Sequence, residues 1–433
     1  MNEHSFYNRN KILIVGSGGR EHAIGWKLKQ SPKVSELFFA PGNGGTSLIG
    51  TNLDFKVLDN EGIAKWAKRN KIDLVVVGPD DPLANGMVDY LNKFGIKAFG
   101  PSKLSAEIES SKVFAKKLMQ EENIPTAKFK TFTNFKNAVE YLKQQNFPIV
   151  LKASGLALGK GVIIAKSVEE GVKGLADIMV KKIFEDAGSE VVIEEFLEGQ
   201  EISIHVFCDG KNYSIFPSSQ DHKAIFDGDK GPNTGGMGTI APVGWVSDEL
   251  MDRIEKEIVI PTLAGLKKRG REFKGILYPG VMVTNKGPKV LEFNARFGDP
   301  EVESYLRLLK TDLFDIFMAC IDGTLNELNI EWEKKFACCI VLASGGYPGS
   351  YEKGKEISGI NEAEKIDEVV VFHAGTKAEK GKLLTNGGRV LGISATGNNL
   401  DQALEKVYQA IKKVNFEGMQ YRLDIGKRKP FTV

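Results

Sequence analysis

KILIVGSGGREHAIGWKL (11–28) sets the fold of the first part of the chain. KILIVG (11–16) forms a short apolar strand, Gly18 and Gly19 form a turn, and a helix begins near Arg20. The pattern then repeats. Strands are expected at 36–42, 72–78 and 96–100, with helices near 61–69 and 83–94. Strands that alternate with helices predict an α/β, doubly wound parallel sheet. In such a sheet the loops Gly16-Ser17-Gly18-Gly19-Arg20, Pro41-Gly42-Asn43-Gly44-Gly45 and Gly78-Pro79-Asp80 gather at the carboxyl edge, where ligands bind. Glycine turns opening a helix offer backbone amides to an anion, so a phosphorylated small molecule is expected there. A nicotinamide dinucleotide fits less well. The third glycine of that fingerprint is Glu21 here, and the second strand ends in Ala40-Pro41-Gly42 with no acid for a ribose.

Beyond Pro101 a helix is expected from about 105 to 122, then a strand at 127–132 and an amphipathic helix with Phe135, Ala138, Val139 and Leu142 on one face. Strands at 148–153 and 161–165 flank Lys152-Ala-Ser-Gly155-Leu-Ala-Leu-Gly159-Lys160-Gly161. This is not a Walker loop. The spacing is one short, and the loop joins two strands rather than entering a helix. It suits a lid folded over a triphosphate, with Lys152 and Lys160 neutralising charge; a plain hairpin is the alternative. The acidic stretch from Glu194 to Glu201 reads either as a solvated turn or as a hinge offering backbone to a purine edge and a carboxylate to ribose hydroxyls. Strands at 201–210 and 212–220 are expected as a hairpin around Asp209-Gly210, followed by a long structureless loop over 224–238, a helix at 247–269, a hairpin across Thr284–Gly287 and a helix at 400–413.

The sharpest motif is Glu292-Phe-Asn294-Ala-Arg296-Phe-Gly298-Asp299-Pro300-Glu301. Residues two apart share a strand face, so Glu292, Asn294 and Arg296 point one way. A carboxylate and an amide oxygen are magnesium ligands, and a neighbouring guanidinium can hold a phosphoryl group in transfer. Asp299-Pro300 has the form of a helix cap and first helical residue. Asp221-His222-Lys223 precedes the Gly-rich loop; His222 there is a positioner, a proton carrier, or neither.

These segments together resemble the phosphoribosylamine–glycine ligases, a family of ATP-grasp enzymes. The matching stretches are VGSGGREHA, APGNGGT, KASGLALGKGV, VIEEFLEGQE, SQDHK with GPNTGGMG, and LEFNARFGDPEVE. The resemblance implies an N-terminal substrate domain (10–104), a two-lobed ATP-grasp domain (105–328, lid about 125–196) and a small mixed-sheet domain (329–433). It implies ATP and magnesium, or manganese, as cofactors. Glycine and 5-phosphoribosylamine are the implied substrates, joined through glycyl phosphate in a step of purine synthesis. By the same resemblance Lys112 and Lys152 contact phosphates and 155–161 is the lid. Glu194, Glu195, Phe196 and Leu197 form the adenine hinge, and Glu201 takes the ribose. Glu292 and Asn294 hold the metal, Arg296, Asp221 and His222 serve catalysis, and the N-terminal loops take the ribose phosphate. Relatives place a further acidic ligand before the Glu-x-Asn strand; Tyr278-Pro279-Gly280-Val281 has none.

Composition fits a cytoplasmic enzyme, monomeric or dimeric, with no nucleic-acid or membrane partner. Lys+Arg 58 against Asp+Glu 56 leaves a net charge of +2, which gives no basic footprint for polyanions. The four cysteines lack metal-ligand spacing and read as reduced core residues. The N-terminus has no signal-peptide core, no apolar run is long enough to span a bilayer, and no fused partner enzyme is expected.

Overall fold

A computed structural model describes residues 9–156 and 161–428. Its first unit is the expected parallel sheet, in the order Thr51–Asn52, Val34–Pro41, Asn10–Gly16, Leu74–Val77, Ala98–Phe99. Ile12, Leu13, Ile14 and Val15 are all fully buried, as a strand covered on both faces requires.

Two expected helices are divided. The one at 83–94 becomes Asp80–Ala84 and Met87–Lys93, split where Gly86 takes a φ of 79°. The one at 105–122 becomes Lys103–Ser110 and Lys112–Glu121. Ser111 lies between them in an extended conformation, and its side chain accepts the Phe114 N–H to cap the second helix. The break makes Lys112 a first-turn residue. The helix at 247–269 is continuous in direction but passes through a π turn at Glu255–Val259. Pro261 has no N–H to complete the ordinary ladder there.

The segment expected as the lid folds as a four-stranded antiparallel sheet, ordered Phe129–Phe132, Val191–Glu195, Ile149–Ala153, Val162–Ala165. Phe135–Leu142 and Val168–Met179 pack on the face that carries Ile149, Leu151, Val191 and Ile193. Strand alternation therefore turns Val150, Lys152, Val192, Glu194, Val162 and Ile164 to the other face. A second antiparallel sheet is built on Lys274–Thr284. Gly287–Asn294 pairs with it as the expected hairpin, and Gln200–Ser203 and Val206–Asp209 pair with its two halves. The strand expected over 201–210 is thus interrupted at Ile204-His205.

The last sheet has the order Gln220–Asp221, Gly238–Ala241, Phe336–Ala343, Arg389–Gly397, Val369–His373. Its first two strands come from the middle of the chain, so the C-terminal sheet includes the ends of the Gly-rich loop. That loop is not structureless. Ala224–Phe226 pairs with Lys230–Asn233, and buried Arg422 donates to Ala224 O (3.0 Å) and Asp229 (3.0 Å). All four cysteines are free and buried. No helix among the described residues is long and apolar enough to cross a membrane.

Candidate functional site

The alternation expected at 292–297 is present. Phe293, Ala295 and Phe297 are buried, whereas Glu292, Asn294 and Arg296 stay partly open on the other side. Across the hairpin, Gly280 faces Glu292 and Tyr278 faces Asn294. The missing acid leaves room here: a Cβ at Gly280 would lie 3.8 Å from Glu201 Oε1 and 3.9 Å from Glu292 Cγ. Burial alone would raise the pKa of Glu292. The charges of Lys112, Lys152, Lys223 and Arg296 reverse that and hold the carboxyl below its ordinary value.

Arg296 Nη2 donates to Asn294 Oδ1 (3.0 Å) and pairs with Glu109 Oε1 (3.0 Å). Glu109 also accepts the Ala295 N–H (2.8 Å), and its burial pushes it up to about 7 against the pull of Arg296. Sequence inspection missed Glu109; its only signal was one acid among the apolar positions of a short helix. Magnesium fits the strand. Glu292 is ionised, Asn294 turns its amide oxygen the same way, and both are hard oxygen donors. Among the described residues no three His, Cys, Asp or Glu side chains form a metal cage. A two-donor site leaves the remaining positions to phosphate oxygens and water, the habit of magnesium.

The lysines lie close by. Lys152 Nζ donates to Leu291 O (2.9 Å), beside Glu292, and pairs with Glu194. Lys112 Nζ reaches Gly155 O (3.2 Å) at the root of the glycine turn, and Gly161 O accepts the Ala153 N–H (2.9 Å) at its far side. Gly159 and Lys160 lie outside the described residues. In the hinge, the Glu194 side chain is committed to lysines, so only its backbone can serve a purine. Glu195 accepts the Lys128 N–H (3.0 Å) and pairs with Lys289 (3.1 Å). Phe196 is 39% exposed and Leu197 is buried. Val162 and Ile164, 37% and 45% exposed, line the Lys152 face of the lid with apolar surface that no motif marks.

Glu201 pairs with Lys223 (3.3 Å), which also lies 3.5 Å from Asp221. Burial pushes Asp221 up to about 7; Lys223 opposes this while Glu301 and Glu201 add to it. His222 turns away from this cluster. Its Nδ1 lies 3.1 Å from Gly238 O, and its Nε2 accepts the Gly426 N–H (3.2 Å). Burial lowers its pKa to about 3. With both ring nitrogens on backbone groups, His222 fastens the loop and is not a proton carrier.

Asp299 is not the expected cap. The helix starts at Glu301, and no side chain caps it. Asp299 instead pairs with Arg389 of the C-terminal sheet (3.1 Å) and accepts the Arg20 N–H (3.3 Å). Arg389, which lies in no sequence motif, also donates to Gly235 O (2.8 Å). The N-terminal loops correct a further expectation. Glu21 fills the turn meant for an anion, accepting Gly18 N–H (2.6 Å) and Arg20 Nε–H (2.6 Å). A Cβ at Gly78 would lie 2.1 Å from its Oε1. Asn43 Oδ1 takes the amides of Gly45 (2.8 Å) and Thr46 (3.0 Å), and Gly44 N–H goes to Thr376 O (3.2 Å). At Gly19 a Cβ would strike Glu303 (2.3 Å). The amides of Gly18, Gly44, Gly45 and Thr46 are thus used within the protein rather than turned to an anion. Asp80, after Pro79, begins a helix close enough for its charge to act on Arg296.

Three profiles of known domains match in series. The phosphoribosylglycinamide synthetase N domain covers residues 10–109, its ATP-grasp (A) domain 110–302 and its C domain 337–428. A phosphoribosylamine–glycine ligase of Caldanaerobacter subterraneus is 47% identical over 96% of this chain and 99% of its own. One of Clostridium acetobutylicum is 46% identical over 97% of this chain and 100% of its own. The crystal structure of the Thermotoga maritima phosphoribosylamine–glycine ligase superposes with a TM-score of 0.84 at 37% identity, over 96% of this chain and 100% of that one. The chain belongs to the phosphoribosylglycinamide synthetase family.

Proposed function

We infer that the chain is an ATP-dependent ligase that joins glycine to 5-phosphoribosylamine, giving glycinamide ribonucleotide, ADP and phosphate in de novo purine synthesis. One observation carries the reading: an ionised Glu292, Asn294 and Arg296 share a face beside Lys112 and Lys152, in a chain aligned over its length with ligases of that name.

A carboxylate does not acylate an amine until it has a leaving group. Glycine's carboxylate attacks the γ-phosphorus of ATP, forming glycyl phosphate and releasing ADP. Glu292 and Asn294 would hold magnesium or manganese, which supplies charge neutralisation of the triphosphate. Lys112 and Lys152 bind phosphate oxygens, and the apolar lid face with Phe196 and Leu197 receives the adenine. Arg296 follows the charge on the moving phosphoryl group. Its present partners, Asn294 and Glu109, keep the guanidinium aimed along the strand. The Gly-rich loop carrying Asp221 and the lid exclude water from the acyl phosphate. The amine of phosphoribosylamine enters from the Arg20, Asp80 and Asp299 side, displaces phosphate and loses a proton. The acids there suit its hydroxyl and amine groups.

An assay of ADP release with ATP and magnesium tests this. Release is expected only when glycine and phosphoribosylamine are both present over the full cycle. Turnover indifferent to glycine would overturn the assignment.

A further inference from the structure

Lys116 has no part in the reaction above, yet it is 2% exposed and among the largest fully buried side chains. Its ammonium has three partners. Glu194 Oε2 is 2.5 Å away, Thr126 Oγ1 2.7 Å, and the ring of Phe129 lies 5.5 Å beneath it. They hold it at the Glu194 oxygen that Lys152 does not use. The other Glu194 oxygen pairs with Lys152, which in turn donates to Leu291 O next to Glu292. Thr126 also donates to Val290 O (2.7 Å) on that same strand. The cluster therefore links the Lys112–Glu121 helix, three lid strands and the Gly287–Asn294 strand.

Its charge count matters as much as its geometry. Two ammonium groups share the Glu194 carboxylate, so Lys152 keeps charge that Glu194 does not cancel and that acts on Glu292. Without Lys116, Glu194 would pair with Lys152 alone and cancel it.

We propose that Lys116 is a positioning residue for nucleotide binding: it takes half of the Glu194 carboxylate, so that Lys152 keeps both its place beside Leu291 and its charge for the phosphate chain. The proposal rests on the nucleotide site described above. Lys116 itself touches no substrate.

Calorimetric titration of the full-length chain with ADP and magnesium tests it. In K116M the ADP dissociation constant is expected to rise about tenfold, a loss of about 1.4 kcal/mol. K116R is expected to restore most of the affinity. At saturating ATP, kcat of K116M should stay within about twofold of the parent, with the defect in the KM for ATP. In an E194Q background, where the Glu194 carboxylate is gone, adding K116M should change ADP affinity little. Unchanged ADP affinity in a folded K116M overturns the proposal. Effects of K116M and E194Q that simply multiply also overturn it. Should K116M alone fail to fold, the pair without either charge decides: affinity like that of E194Q supports the role, and a further tenfold loss refutes it. A parent chain that does not bind ADP overturns the nucleotide reading together with this one, whereas a parent that binds ADP while K116M is unaffected overturns only the role of Lys116.

Discussion

Glu292 remains ionised although it is half-buried, because four cationic side chains act on it together. Removing both strand donors takes away the anchor for the triphosphate while leaving the Phe293, Ala295 and Phe297 side untouched. E292A combined with N294A is expected to lower amide synthesis by about 10²–10³-fold, with little change in thermal midpoint. A normal rate from that double variant is incompatible with the proposed centre. Gly236 offers a test of the loop. Its φ is 120°, and a Cβ there would lie 2.5 Å from Pro300 Cδ and 2.8 Å from Asp221 Oδ1. G236A is expected to lose about 1–3 kcal/mol in urea unfolding and to disturb the Asp221 turn. At this scale the sequence was readable where neighbours in the chain are neighbours in space, as along 292–296. It left the role of His222 open and failed at Asp299. The partner of His222 lies 204 residues away in Gly426, and Arg389 is 90 residues beyond Asp299. Spacing rules do not reach across such separations.

Helix breaks, more than helix positions, separate expectation from structure. The apolar period of 105–122 runs through both helices, so periodicity cannot reveal a cut at Ser111. Only the competition of a serine side chain for backbone amides does so. That cut places Lys112 at a helix start, facing Gly155. S111A is expected to lose about 1 kcal/mol of stability by denaturant titration. It should also weaken ADP binding, since the Lys112 turn loses its tether; stability loss with unchanged ADP affinity would show the cap to be structural only. The lid strands, by contrast, were legible almost residue for residue, because an alternating hairpin has local partners. The small Ala224–Phe226 and Lys230–Asn233 hairpin was hidden by its five surrounding glycines and by Arg422, which holds it from the far end of the chain.

Every histidine among the described residues is buried and held below its ordinary value: His22, His205 and His222 at about 3, His373 at about 4. Burial is the first cause in each case, and the sign follows from it. An unfolded chain protonates these rings below about pH 6.5, while the folded chain does not until near pH 3–4. Each ring therefore removes stability as pH falls through that window, by about 1.4 kcal/mol per unit at most. Asp221 and Glu109 act in the opposite direction, gaining protons more readily when folded. His205 isolates the effect. Its Nε2 accepts the Gly298 N–H (2.9 Å), a bond a glutamine oxygen can imitate. The stability deficit of H205Q relative to the parent is expected to shrink between pH 7 and pH 5; a deficit constant with pH would rule out this account. The parallel sheet, the lid and the C-terminal unit were each legible as separate patterns. Their interlocking was not, since two strands of the C-terminal sheet come from 220–241.

That borrowed pair of strands has a consequence for synthesis. The Asp221 turn cannot settle until Phe336–Ala343 and Arg389–Gly397 have been made to receive it. A nascent chain still tethered to its ribosome at that stage already contains every group on the Glu292 strand, but no finished chamber in which to use them.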